Sequence, residues 1–117
     1  MLKIGDLIEL ITDIPERNLH SGMLGAIVHC HNENNYEIEF SNEDGETLAC
    51  LALEKKQFML VWRSETKQWL SAAERVVNLI PNLPEDTAEE ILHYACFLSL
   101  KKQLPYMTKT TAKSVAL

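Results

Sequence analysis

His29-Cys30-His31 is the nearest thing to a metal cluster in this chain. Alternate residues of a strand share a face, so His29 and His31 could turn toward one ion while Cys30 points the other way. A closed structural zinc site takes four ligands, and the local sequence offers only this pair. Histidines at a strand end, without a metal, are therefore the preferred reading. Cys50 or Cys96 with His20 or His93 would supply a thiol nucleophile and a base. An activated nucleophile needs its base within reach and a third group to orient that base, and no local signature joins these residues. Cys96 also lies next to an apolar stripe, where a thiol acts as a small hydrophobe. Glu37 with Glu39, and Glu43 with Asp44 and Glu46, invite general-acid chemistry, but glutamates at period two on the wet face of a strand are ordinary solvated charges. No catalytic residue, cofactor or metal is assigned, and a non-enzyme is expected.

The elements that carry these residues change character at Arg63. From Leu7 to Trp62 the apolar pattern has period two. Leu7, Glu9 and Ile11 oppose Ile8 and Leu10, and short strands follow over residues 26–30, 36–40, 47–53 and 58–62. In the third, Tyr36, Ile38 and Phe40 share one face and Glu37 and Glu39 the other, as in an antiparallel strand with one wet side. Asn32-Glu33-Asn34-Asn35 and Asn42-Glu43-Asp44-Gly45 supply the Asn, Asp and Gly of tight hairpins. Gly5 and the pair Gly22 and Gly25 allow the backbone to bend sharply. Five short strands joined this way close most economically into a small antiparallel SH3-like barrel, preferred over an OB-like one because no helix interrupts them.

Beyond Arg63 the period is helical. Ser71-Ala72-Ala73-Glu74 reads as a capping box that opens a helix running to about Ile80. Pro81-Asn82-Leu83-Pro84 breaks it, and Pro84 suits the first turn of a second helix. Glu85, Asp86, Glu89 and Glu90 crowd the start of that helix, and Lys101 and Lys102 its end, matching the helix dipole. Ala88, Ile91, Leu92, Ala95 and Leu98 form an apolar stripe, widened by Tyr94, Phe97 and Leu100. Trp62 and Trp69 flank the junction and would seat the helices on the barrel. The expected class is α+β: a five-stranded barrel over residues 1–63, a two-helix hairpin over 64–103 and a flexible tail over 104–117.

Composition limits the function classes. The 117 residues are 46% hydrophobic and 24% charged, a globular composition for one domain or a small domain with an appendage. No apolar run approaches the roughly 20 residues that span a bilayer, so no membrane association is expected. The first residues show no secretory signal pattern, and a cytoplasmic location is expected. Cys30, Cys50 and Cys96 are odd in number and widely spaced, so reduced and mostly buried thiols are expected. The net charge is −6, with eleven acidic and four basic residues up to Trp62 and six acidic and seven basic beyond it. An acidic body repels phosphate backbones and suits cationic partners. The Gly22-x-x-Gly25 spacing also resembles the turn of KOW-type barrels that bind RNA or ribosomal protein. Such barrels use basic and aromatic residues where Glu33, Glu37, Glu39, Glu43 and Asp44 stand here, so nucleic acid is disfavoured. Lys101, Lys102, Lys109 and Lys113 read as a solubilising end.

Gly5-Asp6-x-Ile8-x-Leu10, Asp13-Ile14-Pro15-Glu16, Leu19, Gly22-x-x-Gly25-x-Ile27-Val28, Tyr36-Glu37-Ile38-Glu39-Phe40 and Gly45-Glu46-Thr47-Leu48 together resemble a small bacterial family of SH3-like barrels classed as a domain of unknown function. The resemblance covers most of residues 3–62. Many members lie beside toxin-antitoxin genes, so it implies an antitoxin-like role. Residues 73–84, with Leu79-Ile80-Pro81 and Leu83-Pro84, and then Ile91-Leu92, Tyr94 and Phe97-Leu98, resemble a second short bacterial family commonly found as an antitoxin-like helical hairpin. Tyr94 stands where that family has Phe.

The expected function is a non-enzymatic protein-binding module, an antitoxin-like partner of a small toxin. The acidic face of Glu37, Glu39, Glu43 and Asp44 would attract a basic partner, and Ile91, Leu92, Ala95 and Leu98 would supply the apolar anchor. The alternative is a stand-alone accessory or scaffold protein that forms a homodimer through its helical hairpin.

Overall fold

Period-two patterning becomes a sheet because each strand has one apolar face to bury. In the computed structural model, which describes residues 1–110, the strands are β1 (Leu7–Leu10), β2 (Leu24–Cys30), β3 (Asn35–Ser41), β4 (Thr47–Glu54), β5 (Phe58–Arg63) and β6 (Gln68–Trp69). They form one antiparallel sheet in the order β4-β3-β2-β1-β5-β6. Helices α1 (Ala72–Leu79) and α2 (Glu85–Thr110) follow. The class is α+β, as expected. Two points of the expected barrel are corrected. A sixth strand adds to β5, and the sheet is open, with β4 and β6 as its edges.

Ile8, Leu10, Ile27, Ile38, Phe40 and Leu19 lie fully inside, joined by Tyr36, Ala49, Leu53 and Phe58 in one apolar core. Tyr36, Ile38 and Phe40 take the inner face of β3 and Glu37 and Glu39 the outer, as their alternation dictates. The two asparagine turns also form as read. Asn32 Oδ1 accepts from the amides of Asn34 and Asn35 at 2.8 and 3.0 Å, and Asn42 Oδ1 from those of Asp44 and Glu46 at 2.9 Å each. Gly25 is a different case, a close approach within β2. A Cβ there would stand 2.6 Å from Ile38 Cγ2 and 2.9 Å from Phe40 Cε1, so β2 can pass beneath these side chains only as glycine.

Gly5-Asp6 ties the start of β1 to the end of its neighbour β5. Asp6 is only 2% exposed, and its carboxylate accepts from the amides of Lys3 and Ser64 at 2.9 Å each and from Ser64 Oγ at 2.8 Å. A buried charge held by three donors has its desolvation offset, and here it fastens the start of β1 to the end of β5. Gly5 makes the turn with φ +96, its amide donating to Ile27 O at 2.8 Å.

The capping box forms as read: Ser71 Oγ accepts from the Glu74 amide at 3.2 Å, and Glu74 Oε1 from the Ser71 amide at 2.9 Å. α1 lies against β5, and Arg75 Nε donates to Leu70 O at 3.2 Å. Val61 and Leu70 are buried at this junction, linked by the Leu70 amide to Val61 O at 2.9 Å. Trp62 is half-buried and Trp69 exposed, so neither indole is the buried seat that was expected.

The chain's own contacts divide it between Asn82 and Leu83, giving units Met1–Asn82 and Leu83–Leu117. α1 belongs to the first unit and α2 to the second. Pro84 sits just before α2 rather than inside its first turn, its carbonyl accepting from the Ala88 amide at 3.0 Å. α2 has 26 residues and a length of about 39 Å, and it carries the backbone well past residue 103. The rest of the expected tail lies outside the described residues. None of the described helices is long and apolar enough to cross a membrane.

Candidate protein-binding surfaces

The outer face of the sheet is built from the residues that alternation turns away from the core. Directly opposed residues of neighbouring strands share a face, and one row of such residues crosses all six strands: Trp69, Trp62, Leu7, Ala26, Glu39 and Cys50. Leu24 and Val28 add exposed apolar area on β2. The result is an apolar patch at the β6 side and a carboxylate-bearing side at β3 and β4. Sequence reading missed the patch, because its row is assembled from the register of distant strands.

The expected acidic residues are found on or beside that outer face, although they are less free than solvated charges. Glu37 Oε1 lies 2.8 Å from His31 Nε2, and Glu37 Oε2 accepts from the Cys50 thiol at 3.6 Å. The hydrogen bond with His31 holds the Glu37 carboxyl below its usual range. Glu39 Oε2 accepts from Thr47 Oγ1 at 3.0 Å. Glu43 and Asp44 are exposed in the turn between β3 and β4, which Gly45 completes with φ +82. The carboxylates of Glu37 and Glu39 are thus oriented by neighbours, and those of Glu43 and Asp44 reach into solvent.

His29 and His31 do come together, their ring centroids 4.7 Å apart in an edge-to-face arrangement. The partner that His31 takes is Glu37. Among the described residues, no group of three or more His, Cys, Asp or Glu side chains has the arrangement to hold a metal ion. All three cysteines are free and exposed, which corrects the expectation that most are buried. The outer face of β4, the end of β2 and the flank of α2 place them there. Loss of hydration and then the nearby Glu37 and Glu39 charges push the Cys50 thiol up, which keeps it protonated and is the opposite of activation. A concavity of about 460 Å³ at the β2–β3 hairpin is lined by Leu2, Cys30, Glu33, Tyr36 and Lys55. Its phenol donates to Glu33 O at 3.1 Å, and burial first, then Cys30 and Glu33, raises its pKa.

α2 supplies the second surface. Ala88, Ile91, Leu92, Ala95 and Leu98 fall on one stripe, and Tyr94, Phe97 and Leu100 extend it until residues 91–100 are apolar nearly all round, with only His93 and Ser99 polar. Leu92 is 59% exposed, Tyr94 64% and Phe97 58%. Ile91 is half-buried, and Ala95 and Leu98 are exposed. Tyr94 and Phe97 stack with centroids 6.5 Å apart, as neighbours three residues apart on a helix can.

No curated protein and no solved structure matches the chain. The family match ends before α1 and covers strands β1 to β4 with the first part of β5, close to the span over which the sequence resembles a domain of unknown function. Residues 4–60 match the family described as a domain of unknown function, DUF4926.

Proposed function

We propose that this protein is a non-enzymatic, cytoplasmic protein-binding module, an antitoxin-like partner of a small basic toxin. The observation that carries the reading is α2: a helix apolar nearly all round over residues 91–100 belongs inside a protein, yet Leu92, Tyr94 and Phe97 are more than half exposed. A partner groove that takes these side chains would remove that surface from water. Glu37, Glu39, Glu43 and Asp44 would steer a cationic partner and fix its orientation, with little affinity of their own. The antitoxin part rests on the resemblance to families found beside toxin genes. The SH3-like reading of the sheet belongs to the same proposal and is supported by the β2-β3-β4 meander and by the return of β5 to pair with β1.

Co-expression with the product of the adjacent gene tests the proposal. A stoichiometric complex and rescue of a growth defect are expected, both lost in Leu92→Glu. No complex and no rescue with the wild-type chain would overturn it. The runner-up reading is a stand-alone accessory or scaffold protein that dimerises through Ile91, Leu92, Ala95 and Leu98, favoured by the same exposed helix. Light scattering separates the two, since a monomer in both wild type and Leu92→Glu removes the helix dimer.

A further inference from the structure

An edge strand exposes a row of unpaired backbone donors and acceptors, and most proteins blunt such edges with short strands, charges or proline. β6, at one edge of this sheet, is only two residues long. β4, at the other, has eight residues, Thr47–Glu54, and pairs only with β3. Residues 48–53 of β4, Leu-Ala-Cys-Leu-Ala-Leu, contain neither charge nor proline. The register break near its start lies at Leu48 and leaves residues 49–54 regular. The direction of its free groups follows from one bond. The Lys55 amide donates to Asn34 O at 2.9 Å, toward β3, and backbone direction alternates along an antiparallel strand. Leu53, Leu51 and Ala49 therefore face β3, while Cys50 and Ala52 direct their N–H and C=O away from the sheet; the Glu54 amide donates to Gln57 Oε1 at 2.8 Å.

We infer that β4 is a strand-addition edge occupied by β4 of a second copy of this chain, paired antiparallel across a two-fold axis perpendicular to the sheet. The charges at the two ends of β4 select this occupant. Glu43, Asp44 and Glu46 precede the strand, and Lys55 and Lys56 follow it in a one-turn 3-10 helix, with Lys56 Nζ 3.3 Å from Glu54 Oε2 in an exposed pair that can exchange partners. Antiparallel pairing of two identical strands lays each acidic turn beside the partner copy's lysines, twice by symmetry. Faces must also be kept, so Cys50 opposes either Cys50 or Ala52 of the second copy. The first register would move the acidic turn of each copy toward Glu54 of the other, like charge toward like. The second brings the two Leu51 residues together at the axis and leaves the acidic turn of each copy on the side of the partner copy's Lys55 and Lys56, and it is the register assigned here. The edge groups of Cys50 and Ala52 then bond one another across the interface. This dimer shares Glu43 and Asp44 with the partner steering proposed above but does not use α2, so binding through α2 is tested separately.

The oligomeric state of the full chain in solution tests it. Ala52→Pro removes an amide that points away from β3, on an exposed residue, and is expected to give a monomer with unchanged circular dichroism. Glu46→Lys and Lys56→Glu are each expected to weaken the dimer about tenfold, and the double variant to restore it. If Ala52→Pro does not fold, this charge exchange decides alone. A wild-type chain that stays monomeric at its solubility limit overturns the inference. So does a dimer that folded Ala52→Pro leaves intact, or one that the double charge variant does not restore. Partner binding measured on folded Ala52→Pro keeps a failure here distinct from a failure of the toxin-partner proposal.

Discussion

The first unit and α2 are built from residues of similar hydrophobicity and put them to opposite uses. In the sheet, Ile8, Leu10, Ile38 and Phe40 are completely buried, and among the described residues no buried side-chain nitrogen or oxygen lacks a hydrogen-bond partner. Along α2, Leu92, Tyr94 and Phe97 remain mostly in water. The contrast separates residues that hold the fold from residues that are available to something else. A buried phenylalanine is accounted for by the core it fills, whereas an exposed run of leucine and aromatic side chains on one helix is accounted for only by what covers it.

Stability measurements can break or sharpen that contrast. Phe40→Ala is expected to cost about 3–5 kcal/mol in urea unfolding, since it empties a fully enclosed site. Leu92→Ala should cost less than about 0.5 kcal/mol in the same assay, as an exposed helix position does. Similar losses for both would mean that α2 is part of the stabilising core. Asp6→Ala leaves the Lys3 and Ser64 amides without their acceptor, and a loss of about 3 kcal/mol is expected. Ser71→Ala removes the cap of α1 at a cost of about 1 kcal/mol, read by thermal unfolding. The smallest effect concerns Glu37. Its pKa in the folded chain is depressed, chiefly by the hydrogen bond with His31, so its contribution is present above the ordinary carboxylate range and is lost as pH falls through the folded value. Acidification through that range should therefore cost the wild type more stability than it costs His31→Ala.

Local chemistry explains which parts of the fold were legible. Strands β1 to β5 show in the period-two pattern, and the Ser71–Glu74 box shows in four residues, because both depend on near neighbours. β6 was not legible, since Gln68 and Trp69 form a strand only by pairing with Arg63 and Trp62. Asp6 enters the sequence reading only in the pattern Gly5-Asp6-x-Ile8, and its role depends on Ser64, which is far away in sequence. The charge and apolar pattern puts the end of α2 near Lys102, whereas the helix continues to Thr110. For the candidate surfaces, alternation gave the outward direction of Glu37 and Glu39. It could not give their partners His31, Cys50 and Thr47, which come from the pairing of β2, β3 and β4. The free edge of β4 likewise exists only once strand order is known.

The central claim is that the exposed apolar side chains of α2 bind another protein, and calorimetric titration of the adjacent gene product into wild type and Leu92→Glu tests it most directly. The account predicts a stoichiometric complex with the wild type and at least about thirtyfold weaker binding to Leu92→Glu, the effect of removing a central apolar anchor. No binding by the wild type, or equal binding by both, would contradict it.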